Sequence, residues 1–259
     1  DGEWHLFFQH NPSGSTWGNM SWGHAVSTDL VRWTELPVAI PATADEAVFS
    51  GSAVVDSTNT SGLGRPGAPA MVAVYTSWYP ATGRQAQSLA YSTDKGRTWT
   101  RYAGNPVLDL GSTQWRDPKV FRHEESDPKR PWVMVVVLAE DLVVQVWRSP
   151  DLVAWDLTGE VGPFERPAGA ATGQFYWEVP DLVPLPVEGE PGRREWVLLL
   201  SVNPGGPAGG SGQAYAVGSF DGSTFVPDPL SGNAFGPFSW ADHGPDFYAA
   251  STFAGLADD

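Results

Sequence analysis

The sequence predicts an all-β fold, and more specifically a five-bladed β-propeller, from two observations. A short Ser-x-Asp turn followed by an aromatic residue recurs about every 60 residues, with its aspartates at positions 29, 94, 151 and 221. A run of apolar residues precedes each copy. The 259 residues also include 13 Trp, 29 Gly and 23 Pro, and this load of large aromatic and chain-turning residues argues against a helical protein.

Each copy of the turn is expected to close a β-hairpin. The carboxylate of the central Asp can accept hydrogen bonds from backbone NH groups, while the aromatic residue packs behind the turn. The four copies are residues 27–33 (STDLVRW), 92–99 (STDKGRTW), 149–155 (SPDLVAW) and, more loosely, 219–225 (SFDGSTF).

The strands around these hairpins complete a four-stranded repeat. Nearly continuous apolar runs are typical of strands that are buried on both faces, and a repeating unit of four strands is a propeller blade. Apolar strands are predicted at 4–9, 71–77, 132–138 and 196–202, and the strands ahead of three of them at 49–56, 116–123 and 178–187.

Counted from those leading strands, the chain contains three full blades and two partial ones. The segment 3–40 is a blade without its first strand, and the segment 240–253 begins a further blade. The whole chain, 1–259, is interpreted as a single propeller domain. A β-sandwich with coincidental tryptophan spacing is the less favoured alternative. The full blades are predicted at 49–109, 115–165 and 177–230.

Composition argues against several classes of partner. Thirty acidic and 15 basic residues give a formal net charge of -15, which disfavours binding to nucleic acid. The absence of cysteine excludes disulfides and thiolate metal sites. No apolar run reaches the length of about 18 residues that a membrane span needs, and no signal-peptide pattern is present. The chain starts at Asp1 rather than Met, so a processed or excised N-terminus is expected. Nothing indicates the oligomeric state.

Two acids in similar surroundings are candidates for catalysis. Glu178, in the stretch 171–186 (ATGQFYWEVPDLVPLP), lies between aromatic residues and a Val-Pro turn, where partial desolvation is expected to raise its pKa. Asp117, in the stretch 115–121 (WRDPKVF), follows Arg116, whose charge is expected to lower the pKa of Asp117. Carboxyl groups whose pKa values are pushed apart are typical of glycosidases. For either acid alone, a solvated loop carboxylate is the alternative.

Further motifs extend over nearly the whole chain, in this order: FFQHNPSGSTWGNMSWGHAVSTDLVRW, FSGSAVVD, QSLAYSTDKGRTWTRYAGNPVL, RDPKVF, WEVPDL, SVNPGG and DFYAASTF. With these motifs the chain resembles glycoside hydrolase family 32, the invertases, levanases and inulinases. The resemblance implies a five-bladed propeller with its active site in the central funnel. It also implies retaining hydrolysis of a β-fructofuranosidic bond in sucrose, inulin or levan, by two carboxyl groups about 5–5.5 Å apart.

The resemblance implies a role for eight residues of this sequence. Glu178 is similar to the acid/base, and Asp117 to the transition-state stabiliser, whose carboxylate binds fructosyl hydroxyls. Arg116 is expected to orient these groups through a charge-assisted hydrogen bond. The family usually has Cys where this chain has Val179, and Glu178 is expected to keep its role despite this change. The other implied substrate contacts are Gln9, Trp17, Phe49, Ser50 and, near the acid/base, Tyr248.

One part of the family pattern is not found in the sequence. The family's nucleophile is an Asp in a Trp-Met-Asn-Asp-Pro-Asn-Gly type motif just before the stretch DGEWHLFF, with which this sequence begins. Asp1 lies after that motif, so the role is not carried over to it, and the covalent step lacks its attacking carboxylate. The family's C-terminal β-sandwich is not found either. We therefore expect an incomplete hydrolase, inactive as given, from a secreted protein, or from a cytoplasmic one if it is specific for sucrose.

Other functions stay open. The segment 92–99 also matches the Asp-box of sialidases, which marks a fold rather than an active site, but the converging arginines that sialidases need are not recognisable. Inverting propeller families, with more widely spaced carboxyl groups, match the motifs less well. A non-catalytic sugar-binding propeller and a protein-binding scaffold are further alternatives. No cofactor or metal site is predicted, because no pair of histidines has ligand spacing beside an acid. The segment 203–212 (NPGGPAGGSG) lacks the lysine of a phosphate loop.

Overall fold

The computed structural model describes residues 2–123, 125–164, 175–229 and 235–254. These residues form sixteen β-strands and no α-helix, so the predicted all-β class is confirmed. Accordingly, this part of the chain contains no helix long and apolar enough to cross a membrane. Asp1, residues 171–174 of the stretch around Glu178, and the predicted blade ends at 165 and 230 lie outside the described residues.

The strands form four antiparallel sheets, called sheets I to IV, in which consecutive strands pair. Such a meander is the repeating unit of a β-propeller, so each sheet corresponds to one blade. Sheet I contains β1 (Trp4–His10), β2 (Ser21–Ser27) and β3 (Thr34–Ile40); sheet II contains β4 (Ala47–Asp56), β5 (Ala70–Tyr79), β6 (Arg84–Ser92) and β7 (Thr100–Arg101). Sheet III contains β8 (Trp115–Arg122), β9 (Trp132–Leu138), β10 (Val143–Ser149) and β11 (Asp156–Val161); sheet IV contains β12 (Tyr176–Pro186), β13 (Arg194–Asn203), β14 (Gly212–Phe220), β15 (Phe225–Pro227) and β16 (Ser239–Trp240).

The sheets belong to two compact units. The first unit, Asp1–Thr113 with Asp151–Ala154, contains sheets I and II, and the second unit, Gln114–Pro150 with Trp155–Asp259, contains sheets III and IV. Each unit has an apolar core between its own sheets. The core of the first unit includes Trp22, Ile40, Val48, Ala73, Tyr75 and Ala90, and that of the second includes Val133, Val135, Val137, Trp177, Leu198 and Leu200.

Strand β9 shows why the apolar runs become inner strands. Its seven residues, WVMVVVL, are large or β-branched, and such side chains pack well on a pleated surface. The first six are buried, and the strand lies between β8 and β10. The prediction of a strand at 132–138 that is buried on both faces is therefore confirmed.

The Ser-x-Asp turns are also built as predicted. The Oδ1 atom of Asp29 accepts hydrogen bonds from the backbone NH groups two and three residues further on, at 2.9 and 2.7 Å. Asp94, Asp151 and Asp221 accept corresponding bonds in the other three turns. The indole NH of Trp99 donates to the carbonyl oxygen three residues before it, at 3.0 Å, so the aromatic residue closes the turn from behind.

A β-bulge interrupts the first strand of sheets II, III and IV. The register against the second strand shifts within residues 48–51, 116–119 and 178–181. Asp117 and Val179 lie in two of these bulges with φ angles of 65° and 47°, a left-handed conformation that is strained for a β-branched residue such as valine. Bulges redirect side chains and are frequent beside active sites. The first strand of three successive blades thus carries a bulge that redirects its side chains.

The end of the described chain differs from the prediction. The segment 240–253 was expected to begin a further blade, but β16 (Ser239–Trp240) pairs with β14 and so belongs to sheet IV. Residues 241–254 contain no strand. Backbone NH groups in this segment donate instead to buried side chains, so their hydrogen bonds are satisfied without strand pairing. The described residues contain four blades, and a fifth is not among them.

Candidate active site

The two candidate acids lie on neighbouring strands of the second unit. Asp117 is in β8 and Glu178 in β12, and these strands pack against each other. Two hydrogen bonds connect β8 and β12 at their bulges. The Nε atom of Arg116 donates to Oε1 of Glu178 at 3.0 Å, and the backbone NH of Val179 donates to Oδ2 of Asp117 at 3.0 Å. The structure therefore brings together the two candidate acids and Arg116, as the sequence predicts.

Arg116 is itself held in one orientation. Its Nη1 atom donates to Oε1 of Gln114 at 2.6 Å, and its guanidinium group lies over the ring of Tyr176, 5.5 Å from the ring centroid. A planar guanidinium with several fixed partners has little freedom to reorient, so Nε faces Glu178 in a defined geometry. Tyr176 belongs to the aromatic residues expected around Glu178, but its contact with Arg116 was not predicted, and neither was the contact of Gln114, which lies two residues before Arg116.

The electrostatics of Asp117 differ from the prediction. Asp117 is only 6% exposed. Burial raises the pKa of Asp117 to about 6, the charge of Glu178 adds to this effect, and Arg116 and the backbone NH of Val179 only partly oppose it. The prediction of a lowered pKa for Asp117 is therefore wrong. It took the adjacent arginine into account but not the removal of the carboxylate from water, which favours the neutral form.

A further contact to Glu178 comes from the segment after β16. The hydroxyl of Tyr248 donates a hydrogen bond to Oε2 of Glu178, while Arg116 contacts Oε1. Each oxygen of this carboxyl group thus has a donor of its own. The side chain of Glu178 remains 20% exposed, so the group is partly open to solvent. The structure brings Tyr248 to the acid beside which the family resemblance placed it.

A second ion pair lies three residues further along the same two strands. The Nζ atom of Lys119 donates to Oδ2 of Asp181 at 2.8 Å, and both residues are buried. This pair was not predicted, although the sequence contains a signal for it. A base and an acid follow Arg116 and Glu178 at the same offset, within runs of otherwise buried residues. Buried Lys and Asp are rarely found unless they are paired.

Two of the predicted polar contacts lie in the first unit. Gln9, at the end of β1, donates through Nε2 to the carbonyl oxygen of Val48 at 3.0 Å. Ser50 is half-buried within the bulge of β4. The bond from Gln9 reaches the residue at the start of that bulge, so Gln9 and Ser50 belong to one local structure.

The two predicted aromatic residues also lie in this unit, together with one that the sequence analysis missed. The rings of Trp17 and Phe49 contact edge to face at 5.8 Å, and Trp17 is 72% exposed. Phe49 stacks on Trp78, with ring centroids 5.6 Å apart and an interplanar angle of 9°. Trp78 lies near the end of β5, one residue beyond the strand predicted at 71–77, and no role was predicted for it. The three rings form an apolar wall.

The cluster in the second unit combines two carboxyl groups in different surroundings. Glu178 is partly exposed and oriented at both oxygens, and burial raises the pKa of Asp117 to about 6. A positioned carboxyl group of this kind can act as a general acid and base. Among the described residues, no three His, Asp or Glu side chains lie together as a bound metal ion would require.

Comparison with known sequences identifies one family. The family model described as "Glycosyl hydrolases family 32 N-terminal domain" matches residues 1–259. The chain is 44% identical over 286 residues to an extracellular exo-inulinase of Aspergillus awamori, which covers 99% of this chain and 51% of that protein. It is 44% identical over 256 residues to a levanase of Bacillus subtilis, with 98% and 36% covered. The chain thus spans about half or less of the length of these relatives.

Solved structures give the same result. The crystal structure of the Aspergillus awamori exo-inulinase has a TM-score of 0.89 at 43% identity, covering 99% of this chain and 53% of that chain. The structure of a fructofuranosidase from Schwanniomyces occidentalis complexed with fructose has a TM-score of 0.88 at 41% identity, covering 99% and 48%. The likeness extends over nearly the whole chain, so its blades have close counterparts in these enzymes.

Proposed function

This chain belongs to glycoside hydrolase family 32, and on that premise we propose that it is part of an enzyme that cleaves β-fructofuranosidic bonds in sucrose, inulin or levan. The observation that carries the proposal is the set of contacts around Glu178, with Arg116 at one oxygen, Tyr248 at the other and Asp117 on the neighbouring strand. Relatives named as exo-inulinase, levanase and fructofuranosidase support the substrate class. The expected partner is sucrose or a fructan.

Glu178 acts as the acid/base of a retaining mechanism in this proposal. Its carboxyl group gives a proton to the glycosidic oxygen as the bond to fructose breaks, and later removes a proton from the incoming water. Between these steps the group is ionised. The donors Arg116 and Tyr248 then stabilise the charged form and keep it oriented for the second proton transfer.

Asp117 acts as the stabiliser of the transition state. Positive charge develops on the fructosyl ring as the bond breaks, and the carboxylate of Asp117 offsets this charge and binds sugar hydroxyls. Its burial strengthens such interactions, because a buried site screens charge weakly. The attacking carboxylate of the covalent step is proposed to come from a segment that precedes Asp1 in a longer protein, as the family motif implies.

The residues of the first unit contact the sugar in this proposal. Trp17 and Phe49 supply apolar walls, and Trp78 extends them because its ring stacks on Phe49. Gln9 and Ser50 supply hydrogen-bond partners for hydroxyl groups. An exposed aromatic wall beside a few polar groups is a common composition for small-molecule sites, which supports these assignments.

Fructose release tests the proposal. Sucrose, inulin and levan are each offered to this chain and to the full-length protein of its source. Glu178→Gln is compared with Glu160→Gln, which changes a glutamate of β11 that is bonded to Gln145. We expect release by the full-length protein, a loss of at least about 100-fold for Glu178→Gln, and little change for Glu160→Gln. Equal activity of the two variants would refute the role of Glu178.

The aromatic wall alone is consistent with a second candidate function, sugar binding without catalysis. Its three rings and the exposure of Trp17 fit a carbohydrate-binding surface whether or not hydrolysis occurs. Calorimetry with inulin oligosaccharides separates the two functions. Binding that is lost in Trp17→Ala, in a full-length protein that releases no fructose, would favour the binding propeller.

Two further features of the longer protein are proposed. A complete propeller would have five blades; the three-stranded sheet I, which has one strand fewer than sheets II and III, supports a blade completed by another part of a longer protein. Secretion is proposed because similar proteins are named extracellular exo-inulinases. Detection of the full-length protein in the culture medium or in the cell fraction of its source tests the second proposal.

A further inference from the structure

Residues 246–253, called the closing segment, contain no strand, so their backbone hydrogen bonds must come from side chains. The backbone NH of Ala249 donates to Oγ of Ser201 at 3.0 Å, and that of Ala250 donates to Oε1 of Gln213 at 3.0 Å. Ser201 and Gln213 are buried in sheet IV and bonded to each other. The segment is thus docked on fixed polar groups rather than on a strand edge.

Thr252 of the closing segment bonds to two charged side chains, and these contacts are called the anchor of the segment. Its backbone NH and its hydroxyl donate to Oδ2 of Asp181 at 2.7 and 2.9 Å. The Nζ atom of Lys119 donates to the carbonyl oxygen of Thr252 at 2.6 Å and contacts its hydroxyl at 3.0 Å. The buried ion pair therefore holds both backbone polar groups of one residue. Hydrogen bonds to charged groups are the stronger ones, and burial strengthens them further.

The conformation of the closing segment depends on such contacts. Ala249 has a φ angle of 60°, which is unfavourable for a residue with a side chain unless its surroundings maintain it. A buried ion pair by itself adds little net stability compared with apolar residues of the same size. Lys119 and Asp181 are therefore better explained by their role in fixing the position of Thr252. Thr252 lies four residues after Tyr248.

We propose that Lys119 and Asp181 are positioning residues that keep the hydroxyl of Tyr248 on the carboxyl group of Glu178. The inference rests on the proposed function, because it gives this contact a part in proton transfer. Lys119 and Asp181 belong to β8 and β12, and β12 also carries Glu178. The acid and the anchor of its tyrosine partner are thus built on the same strand, three residues apart.

The first readout is spectroscopic and does not require hydrolysis. The chain has seven tyrosines, so tyrosine labelled with carbon-13 at Cζ gives few signals, and Tyr248→Phe identifies the signal of Tyr248 by its loss. Glu178→Gln is expected to shift this signal, because a charged acceptor is replaced by an amide. Asp181→Asn is expected to shift it as well. Gln145→Leu is the control. It removes a buried polar side chain of sheet III, away from the closing segment, and should leave the Tyr248 signal unshifted.

A milder variant keeps the test decisive if Asp181→Asn does not fold. Thr252→Val has nearly the same shape as the wild type and removes only the hydroxyl, which contacts both Asp181 and Lys119. The backbone bonds of the anchor remain. We expect a smaller shift of the Tyr248 signal in the same direction as that caused by Asp181→Asn.

The second readout is the rate of the full-length protein. We expect Asp181→Asn to lower kcat about 10- to 100-fold through misplacement of Tyr248, with KM changed by no more than about twofold. In a Tyr248→Phe background, the same substitution should lower kcat by no more than about twofold, because its target is already absent. Losses that simply multiply in the double variant would overturn the proposal.

The two readouts separate this inference from the proposed function. An unshifted Tyr248 signal in folded Asp181→Asn overturns the positioning role, whether or not the protein releases fructose. A shifted signal in Asp181→Asn but not in Gln145→Leu supports that role. If the same full-length protein releases no fructose, the proposed function fails while the structural link from Asp181 to Tyr248 stands.

Discussion

Replacing Asp117 by asparagine should change how the stability of the protein depends on pH. Burial raises the pKa of Asp117 to about 6 in the folded protein, against about 3.9 for an unperturbed aspartate. A raised folded-state pKa contributes stability that is fully present below about pH 4 and is lost as the pH rises through about 6. Two pKa units correspond to about 3 kcal/mol. The wild type should lose this stability between about pH 3 and pH 8, and Asp117→Asn should not.

Urea unfolding at several pH values measures this effect. The free energy of unfolding of Asp117→Asn, minus that of the wild type, should rise by about 3 kcal/mol across the range. Asp94→Asn is the matched control. Although partial burial opposes it, hydrogen bonds from Thr98 and Ser92 lower the pKa of Asp94 to about 2. The contribution of Asp94 is therefore lost only as the pH falls toward 2, and its difference curve should be flat from about pH 5 to pH 8.

Two results would refute the reasoning about Asp117. A constant difference between Asp117→Asn and the wild type across the pH range would mean that burial does not change the ionisation of Asp117. A difference that falls with rising pH would mean that the charge of Arg116 outweighs burial, as the sequence analysis expected. Either result would also contradict the assignment of a pKa of about 6 to Asp117.

Three further predictions concern the backbone, the core and the site. Gly51→Ala should destabilise the folded protein by about 3 kcal/mol or more in thermal unfolding, because a Cβ atom would lie 2.1 Å from the carbonyl oxygen of Val74. Gly14→Ala, where the nearest atom to a Cβ would be 3.6 Å away, should change the stability little. Equal losses of stability in the two variants would contradict this explanation. Arg148→Met should destabilise by about 3 kcal/mol or more, because the buried guanidinium donates to five oxygen atoms; an unchanged melting temperature would exclude this role. Arg116→Lys should lower fructose release by the full-length protein about 10-fold without unfolding it, since lysine has no planar group to bond two side chains at once; unchanged release would argue against an orienting role for the guanidinium.

Much of the fold could be predicted because its signals are local. The Ser-x-Asp turns depend on one carboxylate and the backbone NH groups that follow it within a few residues. The inner strands depend on apolar runs such as that of β9, whose predicted and observed bounds agree. Strand order within the sheets also followed, because the strands of each sheet pair in chain order except for β16, which pairs with β14. The blade at 240–253 was mispredicted because β16 pairs with β14 of sheet IV, and the backbone NH groups further on bond to buried side chains instead of to a strand.

The site was predicted less completely. Arg116, Asp117, Glu178 and Tyr248 could be located because their motifs are short and specific. Partners such as Lys119 lie close to these residues in the sequence, but the contacts by which they orient or anchor the site reach distant parts of the chain. Lys119 meets its acid 62 residues further on and the carbonyl oxygen of the closing segment 133 residues further on. The matching positions of Lys119 and Asp181 are visible in the sequence, but the fold decides which groups they contact over such separations.

The sequence by itself determined the class of fold, the positions of the turns and inner strands, the family, and which acids are candidates for catalysis. Only the tertiary structure decided how those acids behave. The sequence shows that Asp117 follows an arginine, which suggests a lowered pKa, but the folded chain buries Asp117 and places it near a second carboxylate, which raises the pKa. Desolvation depends on every group packed around a side chain, and most of those groups are distant in the sequence. For the same reason, the contacts that Lys119 and Asp181 make with the closing segment could be read only from the fold.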